Sequence, residues 1–205
     1  HNIPYLGLCY GMQLALIEFA RNVCKMKNAN TTEINPNTPY PIIDFIPMQK
    51  EFIQNHAYGG TMRLGAYGAI INKKSLIYNL YKKTKRIEID KKQIKILQKD
   101  KQNKFRLGKF NKNTDTIILE RHRHRYEVNP KYVETLEKAG IKFTGYHVRN
   151  DGTKLMEFIE LPQHKFFVAT QAHPEFKSRL NNPAPLFWGF VKACLSKTNK
   201  ISNSK

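Results

Sequence analysis

Apolar positions near the start of this chain follow two different periods. Ile3, Tyr5, Leu6 and Leu8 form a short continuous run of strand length. Met12, Leu16, Phe19, Ala20 and Val23 then recur at helical spacing and make one apolar stripe. The pattern predicts a strand over 3–8 that turns at Cys9 into an amphipathic helix. A strand this apolar belongs inside a parallel sheet with neighbours on both sides, more than the remaining candidate strands supply. The chain is therefore expected to be a fragment cut inside a domain.

Further along, Ile42, Ile43, Phe45 and Ile46 between prolines read as a short strand, and 49–58 as a polar loop. Gly59 and Gly60 mark a turn before a short strand over 61–64. Residues 76–81 fit a weak helix or a strand, and 116–120 a good strand. A helix over 132–139 stops at Gly140 and leads to a strand over 142–144. Strands are also expected at 147–148, at 155–161 (alternating, half exposed) and at 166–170. A closing helix over 183–195 turns Leu186, Phe187, Phe190, Val191 and Cys194 inward, and 196–205 reads as a disordered tail. Strands alternating with helices predict an α/β fold, a doubly wound and mainly parallel sheet with ligands at its carboxyl edge.

Composition narrows the class. The 205 residues fit one domain, and no apolar run is long enough to span a membrane. Three scattered cysteines, Cys9, Cys24 and Cys194, make neither a disulfide scaffold nor a metal-ligand set, which fits a reducing cytoplasm. The formal charge of +19 raises nucleic-acid binding as an option. Its distribution argues otherwise: residues 82–116 hold 13 basic and 4 acidic residues in a Lys/Asn/Gln-rich run with little aromatic interleaving. That segment is expected to be a solvated insertion without clean periodicity, dispensable to the core.

Two short motifs carry chemistry. Gly7-Leu8-Cys9-Tyr10-Gly11 places a cysteine at the strand-to-helix corner, where glycines allow the sharp turn. The helix N-terminus favours a thiolate there, and the Tyr10 N–H supplies half of an oxyanion hole. Downstream, His173-Pro174-Glu175 follows the buried strand 166–170. A nucleophilic thiol needs a base, and the base needs an acceptor to fix its tautomer. Residues two apart on an extended segment share a side, so Glu175 can orient His173.

GLCYGMQ and QAHPE resemble the nucleophile and histidine motifs of class I, triad-type glutamine amidotransferases. FARNV, YPIIDFIP, GGTMRLGA, ERHRHRYEVN and HPEFKSRL together are similar to the C-terminal glutaminase domain of the CTP synthase family. The resemblance implies the class I glutaminase fold, truncated at its N-terminus, over residues 1–195. It implies that Cys9, His173 and Glu175 hydrolyse L-glutamine to glutamate and ammonia. Tyr10, Gly11, Met12 and Gln13 then line the glutamine pocket, Glu33 meets the α-ammonium and Arg125 the α-carboxylate. Arg63, in GGTMRLG, belongs by resemblance to a lid that answers GTP.

In that family an upstream synthase domain of the same chain uses ATP and magnesium to convert UTP to CTP with this ammonia. The full-length enzyme is expected to be a homo-tetramer, a cytoplasmic ligase of pyrimidine biosynthesis with no nucleic-acid or membrane partner. The fragment itself is expected to hold no cofactor or metal and to be inactive alone, lacking the second oxyanion donor. Ala172, where the family carries an aromatic residue, and the lysine-rich insertion depart from the pattern. The rival readings are a free-standing cysteine hydrolase of the γ-glutamyl hydrolase type and an RNA-binding module.

Overall fold

The computed structural model describes residues 1–45 and 62–201, with side chains through Ser196. The polar loop 49–58 and the Gly59-Gly60 turn lie outside the described residues, as does Thr61 of the GTP-lid motif. The first elements are β1 (Tyr5–Leu8), α1 (Tyr10–Asn22), β2 (Asn30–Thr31) and β3 (Pro41–Asp44). Then come β4 (Arg63–Ile71), α2 (Leu76–Lys83), α3 (Arg86–Lys99) and β5 (Thr116–His124). The chain closes with β6 (Glu127–Val128), α4 (Pro130–Lys138), β7 (Lys142–Val148), β8 (Lys154–Glu160), β9 (Phe167–Thr170) and α5 (Pro185–Ile201).

The main sheet runs β1-β9-β8-β7-β4-β5, and a small one runs β2-β3-β6. The sheet is sandwiched. On one side Met12, Leu16 and Ala20 of α1 and Leu136 of α4 pack on Met156, Ile159 and Ala169. On the other, Ile77, Leu80 and Tyr81 of α2 and Leu186 of α5 pack on Ala69, Phe158 and Val168. Consecutive residues such as Val168 and Ala169 thus feed opposite cores, as the two-residue period of a strand requires.

The α/β class with flanking helices holds, but the expected predominance of parallel pairing does not. Within the described main sheet only β1 and β9 pair in parallel; β9–β8, β8–β7, β7–β4 and β4–β5 are all antiparallel. Short connections such as the turn between β7 and β8 can join antiparallel strands but cannot make a parallel crossover. Strand β8 is buried along both faces from Leu155 to Glu160 rather than half exposed, because helices cover both sides of the sheet. The two strands expected at 142–144 and 147–148 are one, β7.

Residues 76–81 form a helix. Ser75 Oγ accepts from the Tyr78 N–H at 2.9 Å, and Glu160 accepts from Leu76 and Ile77. A buried carboxylate from another strand thus caps the helix start. In α5, Val191 and Cys194 are exposed rather than inward; Leu186, Phe190 and Ala193 make the packed face. The helix continues to Ile201, past the expected end at 195, since no proline or glycine interrupts it. Residues 202–205 are outside the described residues.

The lysine-rich segment is not a solvated excursion. It contains α3, in which Ile87, Asp90 and Ile94 are all buried, and a 3₁₀ turn, Lys104–Leu107, that buries Leu107. Ile94 and Leu107 pack on Ile117 and Leu119 of β5. The helical period is present, but a carboxylate occupies the middle of the buried stripe, so hydropathy alone does not display it.

Candidate active site

Cys9 sits where β1 meets α1, with φ 48° and ψ −101°. A non-glycine residue in this region is strained, and such strain concentrates at functional corners. Gly7 makes the corner possible: a β-carbon there would stand 2.9 Å from the Gly11 carbonyl carbon and 3.0 Å from the Met12 nitrogen. Gly11 is different. A β-carbon on it would meet only Tyr5 Oη at 3.8 Å, so the second glycine of the motif is not sterically required.

Cys9 and His173, the candidate nucleophile and base, leave from neighbouring strands. Leu8 lies opposite Thr170 in the parallel pair β1–β9, and the Cys9 N–H donates to the Thr170 carbonyl at 2.7 Å. His173 follows three residues on, where its N–H donates to the Arg121 carbonyl at 2.8 Å. Its Nδ1 donates to Glu175 Oε1 at 2.6 Å. That bond leaves Nε2 bare and able to take a proton, the tautomer being assigned from the hydrogen-bond pattern.

Burial works against a resting thiolate at Cys9. Burial pushes the Cys9 thiol above its ordinary range, and the nearby Glu127 and Glu175 charges add to that. Hydrogen bonds from the Gln171 side chain and the Tyr10 N–H pull in the opposite direction without overcoming burial. The helix start favours a thiolate, as expected, but burial opposes it. Desolvation is the larger effect, and the proton must be removed by a base.

Gln171, fully buried, ties the corner together. Its Nε2 donates to Cys9 Sγ at 3.6 Å, and its Oε1 accepts from Gln13 Nε2 at 3.2 Å. Gln13 Nε2 also donates to the Tyr126 carbonyl at 3.3 Å. Gln13 thus supports the nucleophile from behind. Met12 is buried in the core beneath α1 and presents no side chain to a pocket. Tyr10 is exposed, and the Gly11 carbonyl accepts from Tyr5 Oη at 2.8 Å. Ala172 is buried.

Glu33 is exposed; burial raises the Tyr126 phenol, the Glu33 charge adds to that and the Arg125 charge opposes it, so the two opposite charges act on one residue. Arg125 Nε is buried without a hydrogen-bond partner. Arg63 lies elsewhere. Its guanidinium is buried between Glu157 at 2.7 Å and Glu127 at 3.2 Å, stacked 4.7 Å over Tyr67. It is the counter-ion of a buried network, not an exposed lid group.

Around that network the RHRHR run alternates as a strand must: His122 and His124 point in, Arg121 and Arg123 out. His124 Nδ1 reaches the Tyr126 carbonyl at 3.1 Å, which can only accept, so it carries the proton. Its Nε2 then accepts from His122 Nδ1 at 2.9 Å. His122 Nε2 is left bare 3.4 Å from Glu157 Oε2, a contact that calls for a proton on the carboxyl. Burial pushes Glu157 in that direction and raises Glu127 to about 8. Glu157 was legible only as a carboxylate inside an apolar strand, and Gln171 as the first residue of QAHPE; neither stood out as a site residue.

Among the described residues no group of histidine, cysteine and carboxylate side chains could hold a metal ion, and no helix is long and apolar enough to cross a membrane. The family model for glutamine amidotransferase class-I matches residues 1–193. This chain belongs to the class-I glutamine amidotransferase family.

Its relatives are more specific. The chain is 46% identical over 193 residues to a CTP synthase of Pyrococcus abyssi, covering 94% of this chain and 29% of that protein. It is 49% identical over 196 residues to one from Methanococcus maripaludis, covering 96% and 30%. The glutaminase domain of Trypanosoma brucei CTPS with bound acivicin superimposes with a TM-score of 0.73 at 31% identity, covering 95% of this chain and 61% of that one. The chain spans about three-tenths of the length of the curated relatives it matches. It is homologous to the glutaminase domain of CTP synthases.

Proposed function

We propose that this chain is the glutamine-hydrolysing part of a CTP synthase, a ligase that converts UTP to CTP. The observation that carries the reading is the pairing of a strained cysteine corner with His173 and Glu175 at the ends of adjacent parallel strands. Its homology to CTP synthase glutaminase domains supports the choice of reaction.

His173 Nε2 takes the Cys9 proton as Sγ attacks the side-chain carbonyl of glutamine. The Tyr10 N–H, already at Sγ, stabilises the oxyanion. His173 then protonates the leaving nitrogen, ammonia departs, and water attacks the glutamyl thioester with the same imidazole as base. Glu175 holds the imidazole and steadies its cation. Glu33 and Arg125 pair with the α-ammonium and α-carboxylate, so the site selects a free amino acid; the unpartnered Arg125 Nε supports this role. Tyr10 and Gly11 border the pocket by backbone, and Gln13 stiffens it through Gln171.

Ammonia passes to an upstream synthase domain that uses ATP and magnesium, with GTP as activator and a homo-tetrameric assembly. The free thiols Cys9, Cys24 and Cys194 suit a reducing cytoplasm. The test is Cys9→Ser in the full-length protein. Glutamine-dependent CTP formation should fall to background while synthesis from ammonium salts persists. Loss of both in a folded protein would overturn the assignment, and absence of CTP from either nitrogen source in the wild type would favour a free-standing hydrolase.

A further inference from the structure

Helix α3 meets the catalytic loop through one buried carboxylate. Asp90 is fully buried, and each of its oxygens has a partner. Oδ2 accepts from the Leu119 N–H at 2.9 Å, and Oδ1 accepts from Lys177 Nζ at 2.8 Å. Lys177 Nζ also donates to the Leu119 carbonyl. Leu119 and Arg121 are alternate residues of β5, the last strand in the described sheet, paired with β4 on one side only. Their outward backbone groups form an open edge that needs partners.

Two successive rungs of that edge are occupied. The Arg121 carbonyl accepts from the His173 N–H, and the Leu119 N–H and carbonyl are bound by Asp90 and Lys177. Lys177 closes the 3₁₀ turn Pro174–Lys177, which contains Glu175 two residues earlier. Farther along the same loop, Arg86 at the start of α3 donates to the Asn182 carbonyl at 3.5 Å. The loop carrying the base and its orienter is therefore fastened to β5 directly and to α3 through a buried ion pair.

We propose that α3 is a positioning strut for the catalytic loop, with Asp90 holding Lys177 so that the turn Pro174–Lys177 keeps Glu175 in place against His173. This rests on the glutaminase reading above. Asp90 and Lys177 are positioning residues; they act through the turn, not on glutamine. A buried ion pair adds little net stability compared with apolar side chains of the same size, whereas it fixes geometry. Misplacing a catalytic group by about 1 Å can cost about a hundredfold in rate.

The experiment uses the full-length enzyme with Asp90→Asn, Lys177→Met, the double variant and Lys177→Arg. Each single change should lower kcat for glutamine hydrolysis about ten- to hundredfold, with KM for glutamine within about twofold of wild type. The double variant should be no worse than the poorer single, since both break one strut. Lys177→Arg should recover most of the rate, and synthesis from ammonium salts should stay unchanged throughout. Wild-type kcat in both single variants, losses that multiply in the double, or a parallel fall in ammonia-dependent synthesis would each overturn the strut. If Asp90→Asn does not fold, Lys177→Met against Lys177→Arg decides it. Failure of the glutaminase reading looks different: Cys9→Ser would then leave glutamine hydrolysis intact in an otherwise wild-type enzyme.

Discussion

The backbone N–H of Cys9 donates to the carbonyl of Thr170 at 2.7 Å, so the last rung of the β1–β9 pair is shared by Cys9 and the strand that leads to His173. Any change that moves this rung moves both partners together. The geometry between them is set by sheet pairing, which is stiffer than a loop.

Gly7 and Gly11 should respond very differently to alanine. Gly7→Ala drives a β-carbon into the backbone of α1 and into Ala169 Cβ at 2.9 Å, so the corner itself must shift. A cost of about 1–3 kcal/mol and loss of most glutaminase activity are expected. Gly11→Ala meets only Tyr5 Oη, at an ordinary contact distance of 3.8 Å, and should keep stability and kcat near wild type. Thermal unfolding and glutamate release measure the contrast; equal effects would contradict it.

Glu175 should matter less than His173. Its side chain is 42% exposed, so water can partly take its place on Nδ1 once it is truncated. His173→Ala should abolish glutamine hydrolysis, whereas Glu175→Ala should leave a loss well short of the roughly 10⁴-fold seen for a buried orienter. Steady-state kcat for the two variants checks the ranking.

Arg125→Met should act on binding. Loss of a charge-assisted hydrogen bond is worth about 1.5–3 kcal/mol, or about ten- to hundredfold in KM for glutamine, with kcat changed much less. Glu33→Gln should follow the same pattern more weakly because Glu33 is exposed. A fall in kcat at constant KM would move both residues out of the pocket.

Stability of β5 should fall as pH rises above about 6.5. Burial lowers His122 and His124 well below their ordinary value and lowers His147 to about 4. Below about pH 6.5 the unfolded chain takes up these protons and the native one does not, so stability falls with falling pH. Burial raises Glu127 to about 8. From about pH 4.5 up to that value the native state holds a proton the unfolded one has lost, which costs stability as pH rises. Burial pushes Glu157 and Glu120 in the same direction, so below about pH 6.5 three histidines and three carboxyls oppose one another, and above it the carboxyls act without the histidines. Exchange-protected β5 amides, followed from pH 5 to 9 in the full-length protein, should show this alkaline fall, and Glu127→Gln should lessen it.

Replacing residues 86–113 by a short Gly/Ser linker should destabilise the domain. The change uncovers Ile117 and Leu119, removes the buried Ile87, Ile94 and Leu107, and leaves Lys177 without Asp90. Each buried aliphatic side chain contributes about 1.5–3 kcal/mol. A variant with wild-type stability and glutaminase rate would restore the picture of a dispensable surface insertion.

The amino-acid sequence by itself determined the strand-to-helix corner at Cys9, the two candidate catalytic motifs and the family. These are local matters: residues i and i+2, glycine beside a turn, an apolar period. It also determined that Lys177 and Asp90 are charged, but not that they meet across 87 positions of chain. Only the tertiary structure decided that. An apolar stripe with a carboxylate in it looks broken until the ammonium that completes it arrives from elsewhere. The same holds for Arg63, whose place between Glu127 and Glu157 makes it a buried counter-ion. Pairing direction was likewise tertiary, since strand periodicity is the same in parallel and antiparallel sheets and the connections decide between them. So was the direction in which the Cys9 thiol shifts: a helix start favours the thiolate, but the water the fold removes works against it.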